Sequence, residues 1–288
     1  MMKFSSNCIS LPYYRYFSLS GDKALAFLQG QLSCDVNRIS DTQAVFGAYL
    51  NIKGRVITTL RLLKIDGKLL LQLPESLADI VVSRLARVAM LSRVTLTPEP
   101  ELTTLGIIGE DTIPALGMDV IPQVTMSITQ SNPDSALVRI AQAELFMLIG
   151  SKKSMTPFLK DPSPVDQNVW LYQLIQSRLV EIDTQTTEQF TPHELDLSAH
   201  EAVSFTKGCY VGQEIVARMQ YLGKLKQHLQ QLQWHIPPLR SNNAPLYDQE
   251  QKIVGYTVMI CNVENEQYAL AVIRDGAKLN GGITNENN

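Results

Sequence analysis

The stretch richest in chemically active side chains runs from Lys207 to Glu214 and reads Lys-Gly-Cys-Tyr-Val-Gly-Gln-Glu. It places an amine, a thiol, a phenol and a carboxylate around two glycines. Because glycine adopts backbone conformations that other residues resist, Gly208 and Gly212 can aim the side chains between them into a confined space. Apolar residues resume after Glu214, which predicts a tight loop leading into an ordered element.

Cys209 is the reactive side chain of this stretch. The thiolate is the nucleophilic form of cysteine, and a nearby lysine favours it. We therefore expect Lys207 to make the Cys209 thiol partly ionised near neutral pH. A small buried cysteine that fills space in a turn accounts for the same residues, and composition leaves both interpretations open.

The segment from Lys207 to Glu214 resembles the signature of the YgfZ-type folate-binding proteins. These are relatives of the glycine-cleavage T-protein that support iron–sulfur protein maturation and tRNA modification. Three further segments resemble the family in the expected order: F-L-Q-G-Q-L-S-C-D-V at Phe27–Val36, N-I-K-G-R at Asn51–Arg55 and F-T-P-H-E-L at Phe190–Leu195. The resemblance spans residues 10 to 275, nearly the whole chain.

The resemblance implies a site for tetrahydrofolate or a derivative, without a metal ion, and a functional thiol at Cys209 with Lys207 beside it. Tyr14 and Trp170 occupy the positions of two folate-associated tryptophans of the relatives, and rings there would flank the flat pterin. The other residues that the resemblance assigns to the folate site are Gln29, Gln31, Asn51, Arg55, Tyr210, Gln213, Glu214 and Arg218.

The resemblance also separates this chain from the aminomethyltransferases. The T-proteins carry G-G-x-I-D-D with a catalytic aspartate where this chain has Gly54-Arg55-Val56-Ile57-Thr58-Thr59. Threonine is not an anion at neutral pH, so we do not expect aminomethyl transfer. The T-protein signature also has no cysteine at the position of Cys209.

Three functions stay open at this point. The first is a tetrahydrofolate-binding accessory protein for iron–sulfur client proteins such as tRNA-modifying enzymes, with Cys209 as its essential thiol. The second is a folate-dependent one-carbon transferase with Cys209 as nucleophile. The third is a scaffold whose folate pocket has decayed and whose Cys209 is structural.

Bulk composition limits the alternatives. The chain has 288 residues, 45% of them hydrophobic, and a net charge of −3, which gives no global case for direct nucleic-acid binding. The segment Lys207–Lys226 is locally basic, with four cations against one carboxylate, which suits an anionic ligand. Four separated cysteines without a C-x-x-C pair indicate neither zinc nor disulfides. We see no signal peptide or membrane span and expect a cytoplasmic protein.

The pattern of elements predicts how these residues are positioned. Leucines at helical spacing predict a helix before Gln29, and Asp66-Gly67 between apolar runs predicts a β-hairpin. A second helix after Pro74 is expected to bury Leu77, Ile80, Val81, Leu85 and Val88. We predict an α+β fold with an aminomethyltransferase-like folate-binding body over residues 1–225. A small C-terminal antiparallel β-barrel over 226–279 and a flexible tail over 280–288 complete the prediction.

Overall fold

The computed structural model describes residues 8–132, 134–159, 167–234, 239, 241–279 and 283–284. The elements of the first part are β1 (Cys8–Ser10), β2 (Tyr14–Ser20), α1 (Ala24–Gln31), β3 (Val45–Leu50), β4 (Val56–Ile65), β5 (Lys68–Pro74), α2 (Glu75–Ala89), β6 (Thr95–Pro98) and β7 (Leu102–Ile108). Those of the second part are β8 (Ile128–Asn132), β9 (Ser135–Ala141), β10 (Leu145–Ser151), α3 (Lys152–Met155), α4 (Gln167–Gln176), α5 (Gln213–Leu222), β11 (Gln227–Trp234), β12 (Pro245–Tyr247), β13 (Ile253–Val263), β14 (Glu266–Arg274) and β15 (Ile283–Thr284). The predicted mixture of helices and antiparallel sheets is confirmed.

The chain divides into two compact units that interleave in sequence. The first unit takes the residues up to Leu28, Val36–Phe46 and Leu60–Trp170. The second takes Gln29–Asp35, Gly47–Thr59 and the residues from Leu171 onward. The boundary that the sequence predicts near residue 225 lies inside the second unit, between α5 and β11, and stays a prediction.

The first unit is built on an antiparallel sheet in the order β1-β7-β10-β9-β8. Strands β9 and β10 are apolar over nearly their whole length, because both faces of the sheet are covered. Phe146, Leu148 and Leu137 form a core cluster with residues of β7 and Met155 of α3. This cluster anchors the strand that carries Gly106, against which Trp170 packs.

A second sheet has the order β3-β4-β5-β2-β6, and the unit boundaries fall inside β3 and β4. Asp66 and Gly67 connect β4 to β5 with φ of 49° and 70°. Two successive positive φ angles define the hairpin turn that the Asp-Gly pair predicted. Helix α2 follows at Glu75 as expected, but Ile80 and Val88 are 45% and 40% exposed, so its buried stripe is narrower than predicted.

The second unit contains an antiparallel sheet in the order β12-β13-β14-β11-β15. Its core cluster includes Leu232, Val254, Ala271 and Ile273. The predicted antiparallel strands after Lys226 are confirmed, and closure of this sheet into a barrel stays a prediction. Within the predicted tail, Ile283–Thr284 pairs with β11 as β15, and positions 280–282 and 285–288 lie outside the described residues.

Candidate functional site

The loop from Lys207 to Gly212 leads directly into helix α5, as the sequence predicted. Gly212 precedes the helix with φ of 82°, a conformation that glycine adopts without strain. Cys209 is exposed and is not part of a disulfide. Gly208 differs from the expectation, because its φ is not positive and a side chain there would meet open space. The loop therefore depends on one glycine for its geometry, and it presents its thiol to solvent.

The Lys207 side chain turns inward. Its Nζ donates to the carbonyl oxygens of Leu32 and Cys34 at 2.6 and 2.7 Å. The ammonium also lies 4.9 Å from the centroid of the Tyr210 ring. Burial lowers the pKa of Lys207 to about 8, while Cys34 and Asp35 oppose the shift by favouring the charged form.

Ser33 lies in the family segment Phe27–Val36 and forms hydrogen bonds to the residues just before the loop. Its hydroxyl donates to the Ala202 carbonyl at 2.6 Å, and its backbone carbonyl accepts from the Ser204 N–H at 2.8 Å. Ser33 is fully buried and also accepts the Ala48 N–H at 3.0 Å. The backbone of Val211 adds a bond to the Gly30 carbonyl at 3.3 Å. The loop is thus fastened along its length to the segment that contains Gln31 and Cys34.

The family segment Asn51–Arg55 forms a turn, and Gly212 packs against the backbone of this turn. Asn51 organises this turn, because its Oδ1 accepts the N–H groups of Lys53 and Arg55 at 2.9 and 3.0 Å. A methyl group on Gly212 would lie 2.6 Å from the Asn51 carbonyl oxygen. Only glycine permits this close approach.

The same turn bonds to Glu188 and Gln189, just before the family segment Phe190–Leu195, and to Glu194 within it. The Asn51 amide donates to Glu188 Oε2 at 2.8 Å, and the Arg55 guanidinium donates to the Gln189 carbonyl. Arg55 also pairs with Glu194 at 3.5 Å. Glu194 is 8% exposed and accepts from the Thr191 N–H at 2.7 Å. The polar groups of Asn51 and Arg55 therefore bond to the surrounding backbone and to Glu188 and Glu194.

The remaining predicted residues of this unit surround the loop in different environments. Gln213 Oε1 accepts the Tyr210 N–H at 3.3 Å, which fixes the first turn of α5. Glu214 lies in that first turn, where its negative charge interacts favourably with the positive end of the helix dipole. Gln29 donates to Asp35 at 2.8 Å. Gln31 is half-buried and Arg218 is exposed.

Tyr210 carries a buried hydroxyl. The residue is 7% exposed, and its OH has no hydrogen-bond partner among the described residues. Burial, with a smaller effect of Cys34, raises its pKa to about 12, so the phenol stays protonated at neutral pH. A buried hydroxyl without a partner costs about 1–3 kcal/mol unless water or a ligand satisfies it.

Trp170 and Tyr14 belong to the first unit, unlike the other predicted residues. Trp170 is fully buried, and the bare backbone of Gly106 gives its ring the space that a methyl group would occupy. Its indole N–H has no acceptor in the part of the chain that the structure describes. Direct contact with a ligand therefore requires the packing beside this ring to open, and the pterin-flanking role stays a prediction.

Tyr14 lies beside a buried polar row in the first unit. Arg61 Cζ lies 5.9 Å from the Tyr14 ring centroid and 5.4 Å from that of Phe46. Its Nη1 donates to Gln72 Oε1 at 3.2 Å, and Gln72 donates to the Tyr16 hydroxyl at 2.6 Å. This row was not predicted, because no local sequence pattern marks an arginine at the centre of an apolar strand.

The place of the T-protein aspartate is occupied by buried neutral side chains. Thr58 and Thr59 are 0% and 2% exposed. The Thr58 hydroxyl donates to the Thr59 carbonyl at 2.9 Å, and Thr59 Oγ1 accepts the Ile182 N–H at 3.4 Å. These hydroxyls satisfy nearby backbone groups and supply no carboxylate.

A basic groove of about 740 Å³ lies in the second unit. Its charged lining residues are Lys224, Lys226, Arg274, Glu194 and Asp275. Glu194 is held by its own loop, and Asp275 pairs with His228 at 2.5 Å. The three cations have no acidic partner within the described ranges, which agrees with the basic segment seen in the sequence.

Comparison with known proteins identifies the family. No protein-family model matches the chain. It is 30% identical over 225 residues to the tRNA-modifying protein YgfZ of Colwellia psychrerythraea, covering 77% of this chain and 69% of that protein. The chain belongs to the YgfZ family. The YgfZ protein of Yersinia pseudotuberculosis matches equally, at 30% identity over 227 residues and with the same coverage of both chains.

The fold is that of the aminomethyltransferases. The glycine cleavage system aminomethyltransferase T of Bartonella henselae superposes with a TM-score of 0.74, covering 96% of this chain and 83% of that chain. Its sequence identity of 16% supports the fold alone. YgfZ membership and an aminomethyltransferase-like fold are therefore confirmed.

The YgfZ signature segments carry structural residues that sequence reasoning did not single out. Ser33 and Glu194 lie inside the quoted segments, yet their role is visible only through their partners. Three or more metal-binding side chains do not cluster anywhere in the described residues. No helix in those residues is long and apolar enough to span a membrane.

Proposed function

We propose that this YgfZ protein binds a reduced folate, tetrahydrofolate or a derivative, and supports the maturation or repair of iron–sulfur proteins. Its clients would include tRNA-modifying enzymes in the cytoplasm, and it would act on tRNA through them rather than by binding nucleic acid. Cys209 is the essential thiol, presented by an aminomethyltransferase-like body with a small C-terminal barrel. Membership of a family whose relatives are named tRNA-modifying proteins supports the proposal.

The exposed thiol on a firmly held loop is the observation that carries this proposal. Two other family segments contact the loop: Phe27–Val36 through Lys207 and Val211, and Asn51–Arg55 through Gly212. A cysteine that merely filled space would be buried, whereas Cys209 is exposed. So much backbone organisation around a solvent-facing thiol indicates that the thiol meets a partner.

A buried donor in the second unit fits a polar ligand such as a folate. The Tyr210 hydroxyl is buried without a partner among the described residues. Native proteins satisfy nearly all such groups with protein, water or ligand. The ring heteroatoms and amide of a folate supply acceptors, and the basic groove with Lys224 and Lys226 suits the carboxylates of its glutamate tail.

A one-carbon transferase with Cys209 as nucleophile is the second candidate. Exposure of the thiol favours it, whereas buried Thr58 and Thr59 remove the carboxylate chemistry of the T-proteins. Product analysis with a one-carbon-loaded folate and the purified protein separates the two. Release of a transferred one-carbon unit supports the transferase.

Complementation of cells that lack the protein tests the proposal. Cys209→Ser should lower iron–sulfur-dependent tRNA modification, measured by mass spectrometry of nucleosides, by at least about tenfold. Cys8→Ser, which removes a thiol outside the site, is the matched control and should behave as wild type. Full activity of Cys209→Ser at equal protein level would show that the thiol is incidental.

Folate binding is tested separately by following tryptophan fluorescence during titration with tetrahydrofolate. The chain has two tryptophans, Trp170 and Trp234. Wild type and Trp234→Phe should both report saturable binding, because Trp170 remains in each. If calorimetry also detects no binding, the result would support the remaining hypothesis, a scaffold whose folate pocket has decayed.

A further inference from the structure

We infer that Lys207 is a positioning residue that fastens the Cys209 loop to the segment Leu32–Cys34, and that it is not the cationic partner of the Cys209 thiol. The inference uses the proposed function only for the importance of Cys209. It replaces the sequence-based hypothesis that Lys207 activates the neighbouring thiol.

The directions of the Lys207 contacts carry the inference. An ammonium has three N–H donors. Two of them are used on the carbonyl oxygens of Leu32 and Cys34 at 2.6 and 2.7 Å. The third side of the ammonium faces the Tyr210 ring at 4.9 Å. The ammonium therefore contacts two backbone carbonyls and an aromatic ring, while Cys209, two residues later, is exposed to solvent.

The electrostatic neighbours of Lys207 point the same way. The groups that act on its charge are Cys34 and Asp35, with burial as the larger effect. Cys209 is not among them. Interactions between exposed groups are also weakened by solvent and salt, so little of the Lys207 field reaches a solvent-facing thiol.

The carbonyls that Lys207 holds belong to a distant part of the chain. Leu32 and Cys34 precede Lys207 by 175 and 173 residues in the sequence. The neighbouring bonds of Ser33 to Ala202 and of Val211 to Gly30 complete the same attachment. Lys207 thus adds two side-chain hydrogen bonds to the backbone attachment of the loop.

The test compares Lys207→Gln and Lys207→Arg with Lys53→Gln, an exposed lysine of the neighbouring turn. Two quantities are measured on the full chain. The first is the pH midpoint of Cys209 alkylation by iodoacetamide, followed by peptide mass spectrometry. The second is amide hydrogen exchange at Val211, whose N–H reports attachment of the loop.

For a positioning role, Lys207→Gln should leave the alkylation midpoint within about 0.3 pH units of wild type. Exchange at Val211 should become at least about tenfold faster, as expected when a charged hydrogen bond is lost. Lys207→Arg, which retains a charged donor group, should show a smaller increase, and Lys53→Gln should show none. A midpoint raised by one pH unit or more in Lys207→Gln overturns the inference, and so does unchanged exchange.

The wild-type protein keeps the inference testable if Lys207→Gln does not fold. Lys207 loses its proton near pH 8 in the folded protein and near 10.5 when its side chain is free. Opening the loop therefore takes up a proton between these values, and protection of Val211 relative to amides of β14 should rise between about pH 8 and 9.5. Constant relative protection contradicts the role. A fully active Cys209→Ser would remove the proposed function, yet these measurements on Lys207 would stand unchanged.

Discussion

The Cys209 loop and the Trp170 environment treat their central residues in opposite ways. The loop exposes Cys209 and fixes the backbone around it through Lys207, Ser33 and Gly212. The first unit instead buries Trp170 completely against Gly106. In the loop the backbone is held by hydrogen bonds and the thiol is exposed, whereas at Trp170 the ring itself is part of the packing.

This contrast separates two kinds of substitution. Changes at the loop should alter how the thiol is presented, and changes at Trp170 should act through packing and one unsatisfied donor.

The largest effect is expected from Gly212→Ala, with Gly208→Ala as its matched control. Gly212 has positive φ, and a methyl group there would lie 2.6 Å from the Asn51 carbonyl oxygen. Strain and overpacking together predict a loss of about 2–5 kcal/mol of unfolding free energy. Gly208 has neither constraint. Thermal unfolding of both variants measures the difference, and equal melting temperatures would break the claim that the loop depends on Gly212.

An intermediate effect is expected in the pH dependence of stability. The pKa of Lys207 is about 8 in the folded protein and 10.5 for the free side chain. Between these values the unfolded chain holds a proton that the folded protein has lost, so the unfolding free energy rises with pH. The gain is absent below about pH 8 and complete above about 10.5.

Lys207→Met should lack this rise. The difference between the two stability curves should stay below about 2 kcal/mol, because solvent screens a side chain that is only partly buried. Denaturant unfolding at pH 7, 9 and 10.5 measures it. Parallel curves for wild type and variant would show that the Lys207 ammonium is not desolvated, which would weaken the positioning role as well.

The smallest effect is expected for Trp170→Phe on folate affinity. If the buried indole N–H donates to the ligand, its loss costs about 1 kcal/mol, or about fivefold in Kd. Trp234→Phe in β11 is the matched control, and calorimetry avoids the change in fluorescence. Unchanged affinity in folded Trp170→Phe would leave this residue a purely structural one.

The hairpin and the start of helix α5 could be predicted from the sequence, because short stretches of neighbouring residues determine them. The Asp66-Gly67 hairpin needs only two residues that accept positive φ. Helix α5 begins directly after Gly212, two residues before the apolar residues resume. Burial was harder to predict, as Ile80 and Val88 show, because helical spacing does not reveal how wide the covering surface is.

The sequence by itself determined the family and the segments that surround Cys209, whereas exposure of its thiol is visible only in the structure. The tertiary structure decided what the side chains of those segments do. Lys207 turns to carbonyls of Leu32 and Cys34 far earlier in the chain, and Asn51 and Arg55 hold Glu188 and Glu194. The physical reason is that an ammonium, amide or guanidinium goes to the strongest acceptor within reach, and long-range packing alone sets which acceptors are within reach.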